Sequence, residues 1–355
     1  MYPTIFYHPE AYSTSGPKLM GRNAAGESFL RGYIKHSKSK EFWVQVQENS
    51  HANDFLKKVS DAGRSEPVRS INKASLHALS KSEILFHPGP DLGKHAFDRS
   101  AHSSQSWSIC GITHTTSSAR AMDAIVDLVT SPIQKWDALI CTSKAVRNNV
   151  ERVLQAQIDY LKQRLGITKF VMPQCPVIPL GIHTAEFNYS KDQRKAARSS
   201  LQVSPETIVV LFVGRLSFHA KAHPLAMYQA LEQAAKTTGK EITLIECGWY
   251  GNESIEKAYK KTVLETCPSV RSISLDGREA DNRQMAWASA DIFCSLSDNI
   301  QETFGIAPIE AMAAGIPVVV SDWDGYRDTV RNGIDGFCIP TSMPQAGLGK
   351  DLAYR

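Results

Sequence analysis

The chain lacks any run of about eighteen uninterrupted apolar residues, which excludes an ordinary transmembrane helix. Its N-terminus, Met1 to Glu10, has no basic stretch ahead of an apolar core, so no signal peptide is expected. The seven cysteines, at positions 110, 141, 175, 247, 267, 294 and 338, are odd in number and show no C-x-x-C spacing. That pattern excludes a paired disulfide framework and implies a reducing, cytoplasmic compartment. There is also little charge of one sign: 40 Lys and Arg against 36 Asp and Glu leave a formal +4. This excess is too slight to argue for nucleic acid. Internal repeats and long low-complexity segments are absent as well.

What is present reads as a soluble globular protein. Hydrophobic residues make up 42% and charged residues 21%, and 355 residues are enough for two domains with a core each. Basic residues gather mildly in Arg22 to Lys40 and Lys191 to Arg198. Two readings of these clusters stand: solvated faces, or a peripheral contact with an anionic inner membrane face.

Apolar runs alternate with helical stretches: Glu83 to Phe86, Ala138 to Cys141, Val177 to Pro179, Thr207 to Val213, Ile242 to Glu246, Ile292 to Ser295 and Pro317 to Ser321. Runs apolar on both faces mark buried parallel strands under helices, so the fold class is α/β. The charged stretch Asn188 to Ser200 predicts a boundary, giving domains 1–188 and 189–355. The stretches Ser60 to Ser80 and Lys94 to Ser108 read as loops.

The segment Ser297 to Pro317 carries the chemistry. Pro308 is tolerated only in a first helical turn, Gly315 suits a left-handed cap and Pro317 cannot continue a helix, which predicts a helix over Ile306 to Ala314. Its first amides, from about Thr303 to Ala307, then lack intrahelical partners at a positive dipole end, a ready phosphate site. Glu310 leans back toward that site while Glu302 overlooks it from the loop. Carboxylates repel phosphate, so neutral ribose and hexose hydroxyls are their fitting partners. Two glutamates near a helix start are by themselves ordinary; Gly214-Arg215, at the end of a buried strand, with Lys221 six residues on, adds cations for a diphosphate leaving group.

Gly214-Arg215 with Lys221, then Glu302-Thr303-Phe304-Gly305 and Glu310-Ala-Met-Ala, resemble the donor domain of retaining GT-B glycosyltransferases of family four. The resemblance implies two Rossmann-like domains facing across a cleft, the N-terminal one binding the acceptor and the C-terminal one a nucleotide sugar. It places Glu302 at the transferring sugar, Glu310 on ribose hydroxyls, Arg215 and Lys221 on the diphosphate, and Gly214, Thr303, Phe304 and Gly305 around the donor. Gly277 and Arg278 resemble the base-binding loop, Gly26 the glycine-rich loop facing the diphosphate, and His114 the histidine facing the reacting sugar. The implied activity is metal-independent transfer of a hexose, without a cofactor, to a saccharide, lipid-linked glycan or small molecule. An isomerase or hydrolase of the same architecture, or a non-catalytic sugar-nucleotide-binding protein, would share the phosphate site.

Three features depart from the pattern. Asp322-Trp-Asp324 mimics a metal-binding D-x-D but reads as a turn. His219 and His223 flank Lys221, yet Pro224 places the next helix after them and no third ligand is evident, so no metal is expected. Only Thr341 to Arg355 follow the last recognisable turn, where the family's crossover helices would lie, which reads as a truncated or compact variant.

Overall fold

The fold is that of a computed structural model, which describes residues 2–14, 21–299 and 301–342. Twelve strands form two six-stranded sheets, and every pairing is parallel. In the first half the elements are β1 (Thr4–Phe6), α1 (Gly21–His36), β2 (Phe42–Gln45), α2 (Asn49–Asp61), β3 (Val68–Ile71), α3 (Leu79–Ser82) and β4 (Ile84–Phe86). They continue with α4 (Gly93–Ser100), β5 (Ser108–Ile112), α5 (Ala119–Asp127), β6 (Ala138–Ile140) and α6 (Lys144–Leu165). The second half begins with α7 (Lys191–Ser200), β7 (Ile208–Val213), α8 (Leu225–Thr238), β8 (Ile242–Gly248), α9 (Glu253–Thr266) and β9 (Arg271–Asp276). It ends with α10 (Ala280–Ser289), β10 (Ile292–Ser295), α11 (Ile306–Ala313), β11 (Val318–Asp322), α12 (Tyr326–Thr329) and β12 (Gly336–Pro340).

The strand orders are β3-β2-β1-β4-β5-β6 and β12-β11-β10-β7-β8-β9, so each sheet reverses direction once, at β1/β4 and at β7/β10. Such reversals open crevices beyond the carboxyl ends of the strands. The α/β class and the facing Rossmann-like sheets follow the expectation. The cores are separate: Leu85, Ile109 and Leu139 pack with α6 residues in one, while Val209, Leu211, Phe293 and Val318 pack with Trp287 and Tyr326 in the other. Phe187, between the sheets in sequence, already stacks edge-on against Trp287 of the second core.

Several local expectations need correction. Within Ser60 to Ser80, read as a loop, lie β3 and a 3-10 turn at Lys73–Ala78 capped by Asn72. Within Lys94 to Ser108 lies most of α4, which escaped notice because it buries polar groups: Arg99 pairs with Asp137 at 2.6 Å with both side chains wholly buried. Breaking such a pair costs about 3–5 kcal/mol. Conversely, the apolar run Val177 to Pro179 forms only an isolated bridge, Cys141 to Val177. The basic cluster Lys191 to Arg198 is α7, started by a Ser190–Gln193 capping box worth about 1 kcal/mol. Its Arg194 and Arg198 both bind Asp291, with Arg198 buried and Arg194 still partly exposed, while Lys191 and Lys195 are solvated. No helix among the described residues is long and apolar enough to cross a membrane.

Candidate functional site

At the second reversal, the loops after β7 and β10 meet. Ser297 Oγ donates to the Lys221 carbonyl at 2.7 Å, and Asn299 Nδ2 donates to the same oxygen, tying the two loops together. Trp323 Nε1 reaches the Asn299 carbonyl at 3.1 Å and Gly325 N the Glu302 carbonyl at 3.0 Å, fixing the loop from the β11 side.

The helix predicted after this loop is α11, one residue shorter than expected. Pro308 is its third residue, and its end is a Schellman motif: Ile316 N donates to Ala311 O and Gly315 N to Met312 O, with Gly315 at φ +72. Its N-cap is Gly305 at φ +85, a conformation costing other residues about 1–2 kcal/mol. A Cβ there would also stand 2.3 Å from the Tyr326 ring. Glycine therefore lets buried Tyr326 pack under the helix start, where its hydroxyl hydrogen-bonds Ser295 Oγ at 2.9 Å. The first amides of α11 remain open to an anion.

The charged side chains gather here in an order the sequence did not specify. Glu302, 8% exposed, forms an ion pair with Lys221. Lys221 is thus held by the carboxylate that the resemblance assigns to the sugar. Arg215 is half-buried and, among the described residues, touches only neutral oxygens, Ala220 O at 2.9 Å and Gln301 Oε1 at 3.3 Å. Burial lowers its pKa, because no carboxylate compensates for the lost solvation. Glu310 is pushed up to about 7 by burial, against a smaller opposing pull from Arg283 and Lys221. Asp324 is likewise pushed up to about 7, first by burial and then by the charge of Glu302. Gly214 follows β7 and its carbonyl fills the space a Cβ on Gly248 would need, leaving 1.9 Å. Thr303 and Phe304 are buried in the same loop.

The first reversal forms a cleft of about 400 Å³ beyond β1, β4 and β5, lined by Glu10, Arg22, Asp91, His114 and Arg120 among others. His114 is pushed down to about 4, chiefly by burial and then by Arg22, so its ring is neutral near pH 7. Hydrogen bonds join the two sites: Thr303 Oγ1 donates to His114 O at 3.1 Å, and Thr142 Oγ1 donates to Thr303 O at 3.3 Å. Lys144 N adds a bond to Asp328. Thr303 therefore spends its hydroxyl on the cleft histidine's backbone.

The remaining candidate residues are placed as follows. Gly26 lies inside α1, where a Cβ would be 2.0 Å from Ala11 O; its role there is to admit the Pro9–Tyr12 turn. Gly277 follows β9 and donates to Gly248 O at 2.8 Å, while Arg278 turns back to Asp276 at 2.6 Å. Asp322 pairs with Arg327 at 2.9 Å, and Asp324 turns inward at φ +43, so the D-x-D forms a turn whose second carboxyl faces Glu302. His219 and His223 share no helix, since α8 begins at Leu225. Sequence reading missed Arg283, Asp324 and Tyr326, and the cleft residues Arg22, Asp91 and Arg120. Tyr326 had one signal, the Gly325-Tyr326 step beside the D-x-D. The expectation about the C-terminal tail falls mostly on residues outside those described.

A family model described as Glycosyl transferases group 1 matches residues 193–350. A lipopolysaccharide 1,2-N-acetylglucosaminetransferase of Salmonella typhimurium is 27% identical over 168 residues, covering 46% of this chain and 43% of that protein. An uncharacterized glycosyltransferase of Methanocaldococcus jannaschii is 26% identical over 210 residues, 59% of this chain and 48% of that one. The matched stretches thus span less than half of either relative. The crystal structure of HepE from Anabaena in complex with UDP superposes with a TM-score of 0.65 at 15% identity, covering 99% of this chain and 89% of that one. The chain has the GT-B fold, and its residues 193–350 match the group 1 glycosyl transferases.

Proposed function

We propose that the protein is a retaining, metal-independent glycosyltransferase that moves a hexose from a nucleoside-diphosphate sugar to an acceptor hydroxyl on a saccharide, lipid-linked glycan or small molecule. The observation carrying this reading is convergence. Arg215, Lys221, Glu302, Glu310 and the open amides of α11 meet at one strand reversal, and Thr303 ties their loop to the cleft holding His114. The Anabaena relative in fold is described with UDP bound, which fits the same ligand class.

In this reading the diphosphate lies on the α11 amides with Arg215 and Lys221, ribose hydroxyls donate to Glu310, and Glu302 faces the hexose. The bond from C1 to the phosphate oxygen breaks as the acceptor oxygen bonds C1 from the same face. The electron pair leaves with the diphosphate, and the acceptor proton passes to a departing phosphate oxygen. The cations and amides stabilise that growing charge, and positioning supplies the rest. The direct experiment incubates nucleotide sugars and an acceptor panel in excess chelator and reads the product anomer by NMR. Product with the donor's configuration is expected; an inverted anomer, loss of turnover on chelation, or hydrolysis alone contradicts the reading.

The Glu310 carboxyl gives a pH prediction. Raised to about 7, it is protonated in slightly acid solution and accepts ribose hydroxyls best once ionised. Nucleotide-sugar affinity should rise several-fold from pH 6 to 8, and Glu310→Gln should flatten the rise, as followed by calorimetry. The linkage for stability has the opposite sense. The retained proton favours the folded state below the ordinary carboxyl pKa of 4.5, and that contribution is lost as pH rises through about 7.

A further inference from the structure

The N-terminal cleft carries two carboxylates and two guanidinium groups that balance in number but are not paired one to one. Its charged lining is Glu10, Arg22, Asp91 and Arg120. Asp91 is satisfied from behind: Oδ1 meets His87 Nε2 at 2.8 Å, and His87 Nδ1 meets His95 Nε2 at 3.1 Å. Both histidines are buried, at 7% and 6% exposure, and Phe6 packs against both rings. This chain fixes Asp91 at the cleft wall as a carboxylate and leaves its Oδ2 without a protein partner among the described residues. A carboxylate so placed is an acceptor for hydroxyl groups. Arg22 stands 3.8 Å from Glu10, with the two side chains 54% and 73% exposed, a rim pair that contributes little.

Arg120 differs from these three. It has no hydrogen bond or ion pair among the described residues, and it sits in the first turn of α5. There Ser118 Oγ satisfies the amide of Ala121 at 3.2 Å and leaves those of Ala119 and Arg120 without intrahelical acceptors. Ser118, Arg120, Ala121 and Ala124 all line the cleft, so this helix start and its guanidinium face the same space as Arg22. Two guanidinium forks and a pair of amides offer more donors than a carboxylate's two oxygens can take, whereas the three terminal oxygens of a phosphomonoester can bridge them.

We infer that this cleft binds an acceptor carrying both hydroxyls and a phosphate group, with Arg120 and Arg22 on the phosphate and Asp91 on a hydroxyl. That the bound molecule is the acceptor rests on the transferase reading above. Phosphate bound there displaces Glu10 from Arg22, and neutral His114 adds a hydrogen bond without adding charge.

The test titrates the full chain calorimetrically with glucose, glucuronate and glucose 6-phosphate, and separately with UDP, GDP and ADP. Glucose 6-phosphate should bind about 10- to 100-fold more tightly than glucose or glucuronate, the range expected for one added charge-assisted interaction. Arg120→Ala should remove that advantage and leave nucleotide affinity unchanged, while Asp91→Asn should weaken sugar and sugar phosphate alike. Equal binding of glucose and its phosphate, glucuronate binding as tightly as the phosphate, or an Arg120→Ala protein that still discriminates would overturn the inference. Phosphate-selective binding through Arg120 without binding of any nucleoside diphosphate would instead overturn the donor-site reading and leave the cleft assignment standing.

Discussion

Arg215→Ala is expected to lower kcat/KM by about 10²- to 10³-fold, or about 3–4 kcal/mol of transition-state stabilisation, while thermal stability stays nearly unchanged. Both halves of this result follow from what the guanidinium touches. Its protein partners are a carbonyl and an amide oxygen, so the fold loses little when it goes. Its remaining donors have no carboxylate among the described residues to satisfy them, and burial already penalises its charge. A diphosphate developing negative charge supplies what is missing. Arg215→Lys should recover only part of the activity, because an ammonium gives a point charge where the fork gives two parallel bonds. Steady-state kinetics with a saturating acceptor, alongside a melting curve, decides the matter. A large fall in melting temperature would mean that the residue is structural.

Glu302→Gln is expected to separate binding from transfer. In the structure its carboxylate is the counter-ion of Lys221 and lies against the Tyr326 hydroxyl. Glutamine keeps the shape and one acceptor oxygen but removes the charge that would face positive charge developing at C1. Turnover should drop by about 10²- to 10³-fold. The nucleotide sugar should bind as well as before or more tightly, since Lys221 no longer divides itself between carboxylate and phosphate. A fall in affinity with unchanged kcat would show that Glu302 serves ground-state binding alone.

The loop and helix carrying Glu302 and Glu310 were legible in the sequence because their signals are local. Pro308, Gly315 and Pro317 mark the bounds of α11 within a single segment, and β7, β10 and β11 are continuous apolar runs buried on both faces. The edge strands β3 and β9 were not legible, whereas the edge strand β6 was. β3 reads Val-Arg-Ser-Ile and β9 Arg-Ser-Ile-Ser-Leu-Asp, each half exposed and paired on one side only. The three-residue strand β1 is too short for any periodicity. Helix α4 was hidden for a different reason, since its buried face consists of Gly93, His95, Ala96 and Arg99, and arginine counts as interior only when Asp137 is known to meet it.

The site's pairings were illegible for the same reason at longer range. Lys221 and Glu302 stand 81 residues apart, and nothing short of the β7/β10 reversal brings them together. Gly26 shows the reverse case: a glycine in the expected place whose local reason is the Ala11 carbonyl beside it. Arg22, Asp91 and Arg120 carry no pattern at all in sequence, because the cleft exists only where β1, β4 and β5 end side by side.

The most direct measurement is calorimetric titration of UDP, GDP and ADP into the protein and into the double variant Arg215→Ala/Lys221→Ala. At least one nucleoside diphosphate should bind the unaltered chain, with affinity falling by about 10²-fold or more in the double variant. Failure of all three to bind, or equal binding by both proteins, would contradict the assignment of this strand reversal as the donor site.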